Sequence, residues 1–111
     1  MADIRLAASL WVAAYLARLA QANIPAYVLA RGDDTAGSIA VKCAHLDGTA
    51  ALWMREWDMD SDTRPWVATD RGTERDIDAA IARQRSRDRD LWVIEIESRD
   101  GTTLLDRDGL F

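Results

Sequence analysis

The chain has 111 residues and a mass of 12.4 kDa, which is enough for one domain, residues 1–111, and excludes a second. Its 49% hydrophobic and 30% charged residues exclude a disordered tail and a membrane protein. Nineteen acidic residues against fourteen basic ones give a net charge of -5, which makes nucleic acid and anionic membranes poor partners. The single cysteine, Cys43, excludes an intrachain disulfide, so a cytoplasmic location is expected.

The segment from Leu6 to Ala22 is rich in alanine and leucine and predicts a first helix, which Asn23 and Pro25 end. The residues that define its expected buried stripe recur at steps of three and four: Leu6, Leu10, Ala13, Ala17 and Ala20. Because few positions are polar, this helix should lie mostly buried across one face of a sheet. Its first part, Leu6 to Val12, also alternates as a strand does, so both structures are compatible there. No charge-free stretch exceeds twelve residues, whereas a membrane span takes about 20.

Strand-like runs follow the first helix. They are Ala26 to Arg31, Ser38 to Leu46, Ala50 to Asp58 and, after a polar loop, Arg64 to Thr69. Short runs that follow one another along the chain predict an antiparallel meander. Pro65 at the entry of the fourth run favours a place at the edge of the sheet.

The dipeptide Asp47-Gly48 lies between two of these runs and predicts a two-residue hairpin turn. Such a turn pairs Leu46 with Thr49 and thereby sets the register of the hairpin. Cys43 then lies opposite Leu52 on the face that forms the core, and Lys42 lies opposite Trp53 on the other face.

The last third of the chain predicts a second helix and a central strand. Thr73 and Asp76 have the spacing of a helix N-cap, and an apolar stripe at Ile77, Ala80 and Ile81 continues to about Arg87. The apolar run Leu91 to Ile96 is typical of a strand that is covered on both sides. A turn at Asp100-Gly101 then leads to a short final strand, Thr102 to Leu105. The predicted fold class is α+β: an antiparallel sheet of four to six strands, comprising the meander and the central late strand, packed with two helices.

Several local strings resemble a known family, the domain-of-unknown-function family 1491 of small bacterial proteins. The strings that carry the resemblance are Leu10-Trp11-Val12, Val28 to Asp33, Ala36-Gly37, Asp47-Gly48 and Asp90 to Glu97. The resemblance covers most of the chain and implies a small α+β domain. It implies no activity and no catalytic residue, because none is assigned to the family.

Clustered aspartates offer one functional alternative, a small metal-assisted or acid/base enzyme built on Asp33, Asp34, Asp58, Asp60 and Asp62. The alternate carboxylates of the last three resemble the start of a calcium-binding loop, because ligands at that spacing converge on one cation. The glycine and the closing glutamate of such a loop are missing, which favours a solvated acidic loop. No metal or cofactor is therefore expected.

Two other sets of reactive residues are poorly spaced for catalysis. Cys43, His45 and Asp47 alternate along one strand, where residues two apart are about 6.5 to 7 Å from each other, too far for easy hydrogen bonding. A buried, inert thiol is expected at Cys43. Glu95 and Glu97 also share one strand, so they face the same way instead of flanking a scissile bond.

The basic cluster at the end of the second helix offers another alternative, a site for phosphate or nucleic acid. It contains Arg83, Arg85, Arg87 and Arg89. Cations at this place also complement the negative end of the helix dipole, which is the simpler interpretation. A spacing of two residues spreads these side chains around the helix, so only some of them can converge on an anion.

Five tryptophans in so short a chain are its most informative feature. Trp53 and Trp57 are expected on the sheet face that carries Lys42 and Arg55, and Trp66 is expected on the edge strand. If the helices cover only the other face, these residues form the kind of aromatic surface found in protein interfaces. If the second helix covers this face, they belong to the core. The hypothesis drawn from the sequence is an interaction module that binds an unidentified protein or a second copy of itself.

Overall fold

A computed structural model describes residues 6–106 of the chain and has the α+β fold expected from the sequence. Two helices and one five-stranded sheet make up the described part. In chain order the elements are α1 (Ala8–Gln21), β1 (Ala26–Ala30), β2 (Ile39–Ala44), β3 (Thr49–Arg55), β4 (Trp66–Thr73), α2 (Glu74–Arg87) and β5 (Trp92–Glu97). No helix within residues 6–106 is long and apolar enough to pass through a bilayer.

The sheet has the strand order β1-β5-β2-β3-β4. The late strand β5 is an inner strand, as predicted, with β1 and β2 as its neighbours. Its apolar residues on both faces need cover from both sides. The expectation of a purely antiparallel sheet is wrong at one pair, since β2 and β5 run parallel. The meander is limited to β2, β3 and β4, whereas β1 pairs with β5 at the far edge.

The hairpin between β2 and β3 has a longer turn than the sequence predicted. The His45 amide donates to the Thr49 carbonyl over 3.0 Å, which leaves three residues in the loop. Two of them, Leu46 and Gly48, have positive φ angles of 62° and 92°. The extra loop residue shifts the pairing of the two strands by one position.

This shift places Trp53 opposite Val41 and Leu52 opposite Lys42. A one-residue change of register moves every side chain of a strand to the other face of the sheet. The predicted pairing of Lys42 with Trp53 is therefore wrong. Trp53 shares the face of Val41 and Cys43 instead.

The two helices cover opposite faces of the sheet. On the α1 face, the largest buried side chains are Trp11, Tyr15, Leu19, Trp92, Ile94 and Ile96. On the α2 face, the buried cluster comprises Ala40, Ala50, Leu52, Ile77, Ala80, Leu91 and Val93. Each face of the sheet thus has its own core.

The buried side of α1 differs from the predicted stripe. Leu10, Ala13, Ala17 and Ala20 are exposed, and the buried residues are Ala8, Trp11, Val12, Tyr15 and Leu19. Both sets recur at helical spacing, but the second contains the aromatic side chains, which remove more apolar area from water when buried. The helical interpretation holds from Ala8 to Val12, and Asn23, with a φ of 59°, follows the end of the helix.

The elements near the end of the described chain confirm one prediction and correct another. The Thr73 hydroxyl accepts a hydrogen bond from the Asp76 amide, as expected of the N-cap of α2. The segment Thr102 to Leu105 forms no strand. It packs on α1 instead, where the Tyr15 hydroxyl donates to the Thr103 carbonyl over 2.8 Å and Leu105 is buried.

Candidate functional site: an aromatic groove beside helix α1

An aromatic cluster joins α1 to the β4 edge of the sheet. The ring centroids of Trp11 and Trp66 lie 5.4 Å apart, and those of Trp11 and Tyr15 lie 5.0 Å apart. Trp53 and Trp66 are half-buried and pack against the core on the α1 face. Three of the five tryptophans therefore meet where α1 leaves the β3-β4 side of the sheet uncovered.

A groove of about 1050 Å³ opens beside this cluster. The N-terminal part of α1, the loop before β2, the end of β3 and the loop before β4 form its walls. Its lining includes Leu6, Trp11, Ala36, Ile39, Met54, Arg55, Trp57, Asp62, Arg64, Pro65 and Trp66. The groove is thus mainly apolar, with two arginines and one aspartate among its walls.

Trp57 stands at this groove with a largely exposed ring. The residue is 58% exposed, yet its indole Nε1 donates to an Asp62 carboxylate oxygen over 2.9 Å. The Asp58 amide also donates to the Thr63 carbonyl over 2.7 Å, which closes the base of the same loop. These bonds fix a large apolar surface in contact with water.

Arginine side chains accompany the aromatic rings. The Arg55 guanidinium lies 5.2 Å from the ring centroid of Trp66, and that of Arg71 lies 5.8 Å from Trp53. At such distances a cation is attracted to the face of an aromatic ring. Arg64 is exposed and also lines the groove. Arginines thus accompany the rings of Trp66 and Trp53, whereas Trp57 lies in a loop that also carries Asp58, Asp60 and Asp62.

Two indole groups at the groove are buried without a hydrogen-bond partner among the described residues. They are the Nε1 groups of Trp11 and Trp66. A buried, unsatisfied donor costs about 1 to 3 kcal/mol. Trp66 also lines a second cavity, of about 570 Å³, together with Trp53, Pro65 and residues between Gly101 and Asp106.

The structure places the residues of the predicted interface at different surfaces. Trp57, Trp66 and Arg55 line the groove, and Trp53 lies behind it at the second cavity. Lys42 does not belong to this surface, because β2 directs it to the α2 face, where it is only 3% exposed. The change of register in the hairpin explains the separation.

Lys42 is the centre of a separate ion network. Its ammonium group lies 2.8 Å from Asp78, 2.9 Å from Glu95 and 3.0 Å from Glu74. Burial alone would lower the pKa of Lys42, but its hydrogen bonds to these carboxylates outweigh burial and raise the pKa. The lysine is thus held charged between α2 and the sheet.

The aspartates of the predicted cluster form hydrogen bonds and an ion pair within their own loops. Asp33 accepts hydrogen bonds from the amides of Thr35 and Ala36, and Asp34 pairs with Arg31 at 3.3 Å. Asp58 accepts from the Asp60 amide over 3.1 Å. Within residues 6–106, no three histidine, cysteine or acidic side chains are grouped as a metal site requires.

The other reactive residues have structural contacts. Cys43 is fully buried, and burial raises the pKa of its thiol, which keeps it neutral. Glu97 accepts a hydrogen bond from the Tyr27 hydroxyl over 3.0 Å, and Glu95 pairs with Lys42. None of these contacts assembles a nucleophile with a base.

The arginine cluster at the end of α2 is also divided. The Arg85 guanidinium donates to the carbonyls of Arg89 and Leu91, each over 2.7 Å, and so fixes the turn between α2 and β5. Arg83, Arg87 and Arg89 are exposed. Arg85, one of the four predicted anion-binding residues, thus already donates its hydrogen bonds to backbone carbonyls.

Sequence reasoning missed one surface, the outer edge of β1. Tyr27, Val28 and Leu29 are 50%, 40% and 52% exposed. The sequence predicts the charge-free run between Pro25 and Arg31 as the first strand of the meander, paired with the next strand along the chain, whereas the structure pairs it, among the described strands, with β5 alone. The absence of charge was the available signal, but only the strand order reveals that this strand is an edge.

Comparison with known proteins agrees with this fold and identifies the family. The sequence model of the family DUF1491, described as a protein of unknown function, matches residues 6–106 of this chain. This chain belongs to the DUF1491 family. Searching the curated proteins finds no match.

Solved structures of similar proteins have the same fold. The crystal structure of a DUF1491 family protein from Caulobacter crescentus is 38% identical, with a TM-score of 0.83 over 92% of this chain and 96% of that one. An NMR structure of a DUF1491 family protein from the same organism is 37% identical, with a TM-score of 0.79 over 94% and 96%. The solution structure of protein Atu0922 from A. tumefaciens is 30% identical, with a TM-score of 0.75 over 91% and 92%.

Proposed function

We propose that this DUF1491 protein is a protein-binding module whose aromatic groove binds a segment of a partner protein. The exposed but anchored ring of Trp57 is the observation that carries the proposal. Water contact with such a ring is unfavourable, and removing it from water is worth about 25 cal/mol per Å² of apolar area. A groove beside the ring supplies the concave surface that a partner side chain needs.

The composition of the groove favours a protein partner over a small substrate. Tryptophan and arginine are enriched among the residues that dominate binding energy in protein interfaces. Because Asp62 already holds the Trp57 ring, little side-chain freedom remains to be lost on binding. Asp33 and Asp58 in the two neighbouring loops accept local hydrogen bonds from backbone amides, so these carboxylates serve the conformation of their loops.

Charge and shape define the partner segment. The exposed guanidinium of Arg64 at the groove favours a carboxylate in the ligand. The apolar walls at Met54 and Pro65 favour a large apolar side chain next to it. The partner is therefore expected to present a short segment with one apolar anchor and an adjacent acidic residue.

Selection from a random peptide library tests the proposal without knowledge of the partner. Peptides displayed on phage are selected on the wild-type protein and then assayed on Trp57→Ala and on Met59→Ala. Met59 is a matched control, because it lies in the same loop, is 76% exposed and does not line the groove. We expect selected peptides to combine an apolar anchor with an acidic residue and to lose at least about tenfold in affinity for Trp57→Ala only, as removal of an interface anchor does.

Two results would contradict this function. In one, no family of related peptides is enriched on the wild-type protein. In the other, the enriched peptides bind Trp57→Ala as well as they bind Met59→Ala, which would place their site elsewhere.

A further inference from the structure

The outer edge of β1 is the second unpartnered surface of the described chain, and it is separate from the groove. Natural edge strands are usually protected from pairing by charged side chains, proline or strong twist. The opposite edge, β4, carries the exposed charges of Asp70 and Arg71. β1 has no charged residue between Pro25 and Arg31, and its three central side chains are exposed.

Backbone geometry identifies the free hydrogen-bonding groups of this edge. The Glu97 amide donates to the Pro25 carbonyl over 3.0 Å, and Tyr27 lies opposite Glu95. In an antiparallel pair, successive residues direct their backbone groups alternately toward and away from the partner strand. Ala26 and Val28 therefore direct their N–H and C=O groups away from β5, toward the open side. A register shift at Leu29 ends this regular stretch.

We propose that β1 pairs antiparallel with β1 of a second copy of this chain and joins two sheets into one. In the proposed register Ala26 lies opposite Val28 of the second copy, and Tyr27 lies on the two-fold axis. This register uses the free N–H and C=O groups of both Ala26 and Val28 in each chain. A second copy fits because a two-fold interface must be self-complementary, and an uncharged strand brings no like charges together.

Helix α1 extends the proposed contact on one face of the sheet. Trp11 contacts Trp66, so that flank of α1 faces β4. At about 100° per residue, Ala20 lies on the flank opposite Trp11, with Leu16 beside it. This flank therefore faces the β1 side, where Leu16 packs on the α1-face core and Ala20 is exposed. Small and apolar residues there allow the α1 helices of two copies to approach each other.

The size of this surface sets the expected strength of the dimer. Stable interfaces bury about 1,200 to 2,000 Å² with about 20 to 30 residues a side. A strand of five residues and one flank of a helix provide fewer, so we expect a reversible dimer that forms at micromolar and higher concentrations.

Cysteine cross-linking tests the register. Residues opposite each other at a non-hydrogen-bonded position have Cα atoms about 4.5 Å apart, which is within the range of a disulfide. Tyr27→Cys should therefore form a covalent dimer under mild oxidation. Leu10→Cys is the control, because Leu10 is similarly exposed at 55% but lies on α1, away from the edge. The native Cys43 is fully buried and does not compete. Equal cross-linking of the two variants would overturn the proposed pairing.

Sedimentation velocity tests the dimer itself. We expect the wild type and Trp57→Ala to dimerise equally, which separates this interface from the groove. Val28→Lys should abolish the dimer, because a charged side chain protects an edge strand from pairing and the two-fold axis would bring the two ammonium groups onto the same face of the joined sheet. Leu10→Lys should retain the dimer. Melting temperatures of both lysine variants verify that they are folded. A wild type that remains monomeric up to about 1 mM, or a folded Val28→Lys that still dimerises, would overturn the proposal.

Discussion

The two faces of the sheet are covered by helices of equal length that are held in different ways. α1 and α2 each have 14 residues, but five residues of α1 are buried and only two of α2. α1 packs through aromatic and aliphatic side chains, whereas α2 rests on a small apolar patch beside the Lys42 ion network. The difference teaches that α1 contributes large side chains to the core on its face, whereas α2 covers its face with a smaller apolar contact and an ion network.

The attachment of α2 depends on charges from two elements. Glu74 and Asp78 belong to α2, and Glu95 belongs to β5, so the ammonium group of Lys42 links helix to sheet. Partly buried ion pairs are screened less by salt than exposed ones. Added salt is therefore expected to weaken this link only slightly. Removal of the Lys42 ammonium group, in contrast, is expected to let α2 open more readily than α1.

The largest effect is expected for a truncation in the α1 core. Leu19→Ala removes a fully buried side chain and should lower the free energy of unfolding by about 2 to 5 kcal/mol. Leu10→Ala, on the exposed side of the same helix, should change it by at most about 0.5 kcal/mol. Urea unfolding of both variants measures the difference. Similar losses in the two variants would mean that α1 does not pack by the side described.

An intermediate effect is expected for the ion network. Lys42→Met keeps the length of the side chain but leaves Glu95, which is 22% exposed, without its cation, and should cost about 1 to 3 kcal/mol. This is less than the loss for a fully buried pair, because Glu74 and Asp78 remain accessible to water. Arg83→Met, an exposed change on α2, is the control.

Hydrogen exchange makes this second prediction specific to one helix. In Lys42→Met, the amides of α2 should exchange faster than in the wild type, while those of α1 keep most of their protection. Equal acceleration in both helices would contradict the view that α2 is attached separately.

The smallest effect concerns pH. Burial raises the pKa of the Cys43 thiol above its ordinary value of about 8.5, so the folded protein holds this proton more tightly than the unfolded chain does. The resulting contribution is present below about pH 8.5 and is lost as the pH rises toward the folded pKa. Between about pH 8 and 10, the free energy of unfolding should therefore decline more steeply in the wild type than in Cys43→Ala. Parallel declines would show that Cys43 is not responsible.

Local patterns in the sequence predicted most elements of the fold. Helical spacing, the Thr73 cap and the apolar run before Ile96 identified both helices and the central strand. The dominant errors were a turn longer by one residue and the choice of the buried side of α1. Both errors have the same origin. The predicted and the observed arrangements have the same local periodicity, and they differ only in which large side chains they bring into a common core.

The candidate site was predicted in part. The tryptophan content, together with the expected sheet face and edge strand, pointed to Trp53, Trp57 and Trp66. Trp57 and Trp66 line the groove, and Trp53 lies at the second cavity. The pairing with Lys42 failed because the register of one hairpin determines which residues share a face. The β1 edge could not be recognised from the sequence. A charge-free strand is an unprotected edge only if it has no neighbour on one side, and the strand order decides this.

The sequence by itself determined the α+β class, the places of the helices and the buried late strand, because periodicity, capping and apolar runs act over a few residues. Only the tertiary structure decided that β1 is an edge, that Lys42 lies beneath α2, and that Trp11, Trp57 and Trp66 meet at one groove. These features depend on contacts between residues far apart in the chain, whose pairing follows from the packing of whole elements and not from any local pattern.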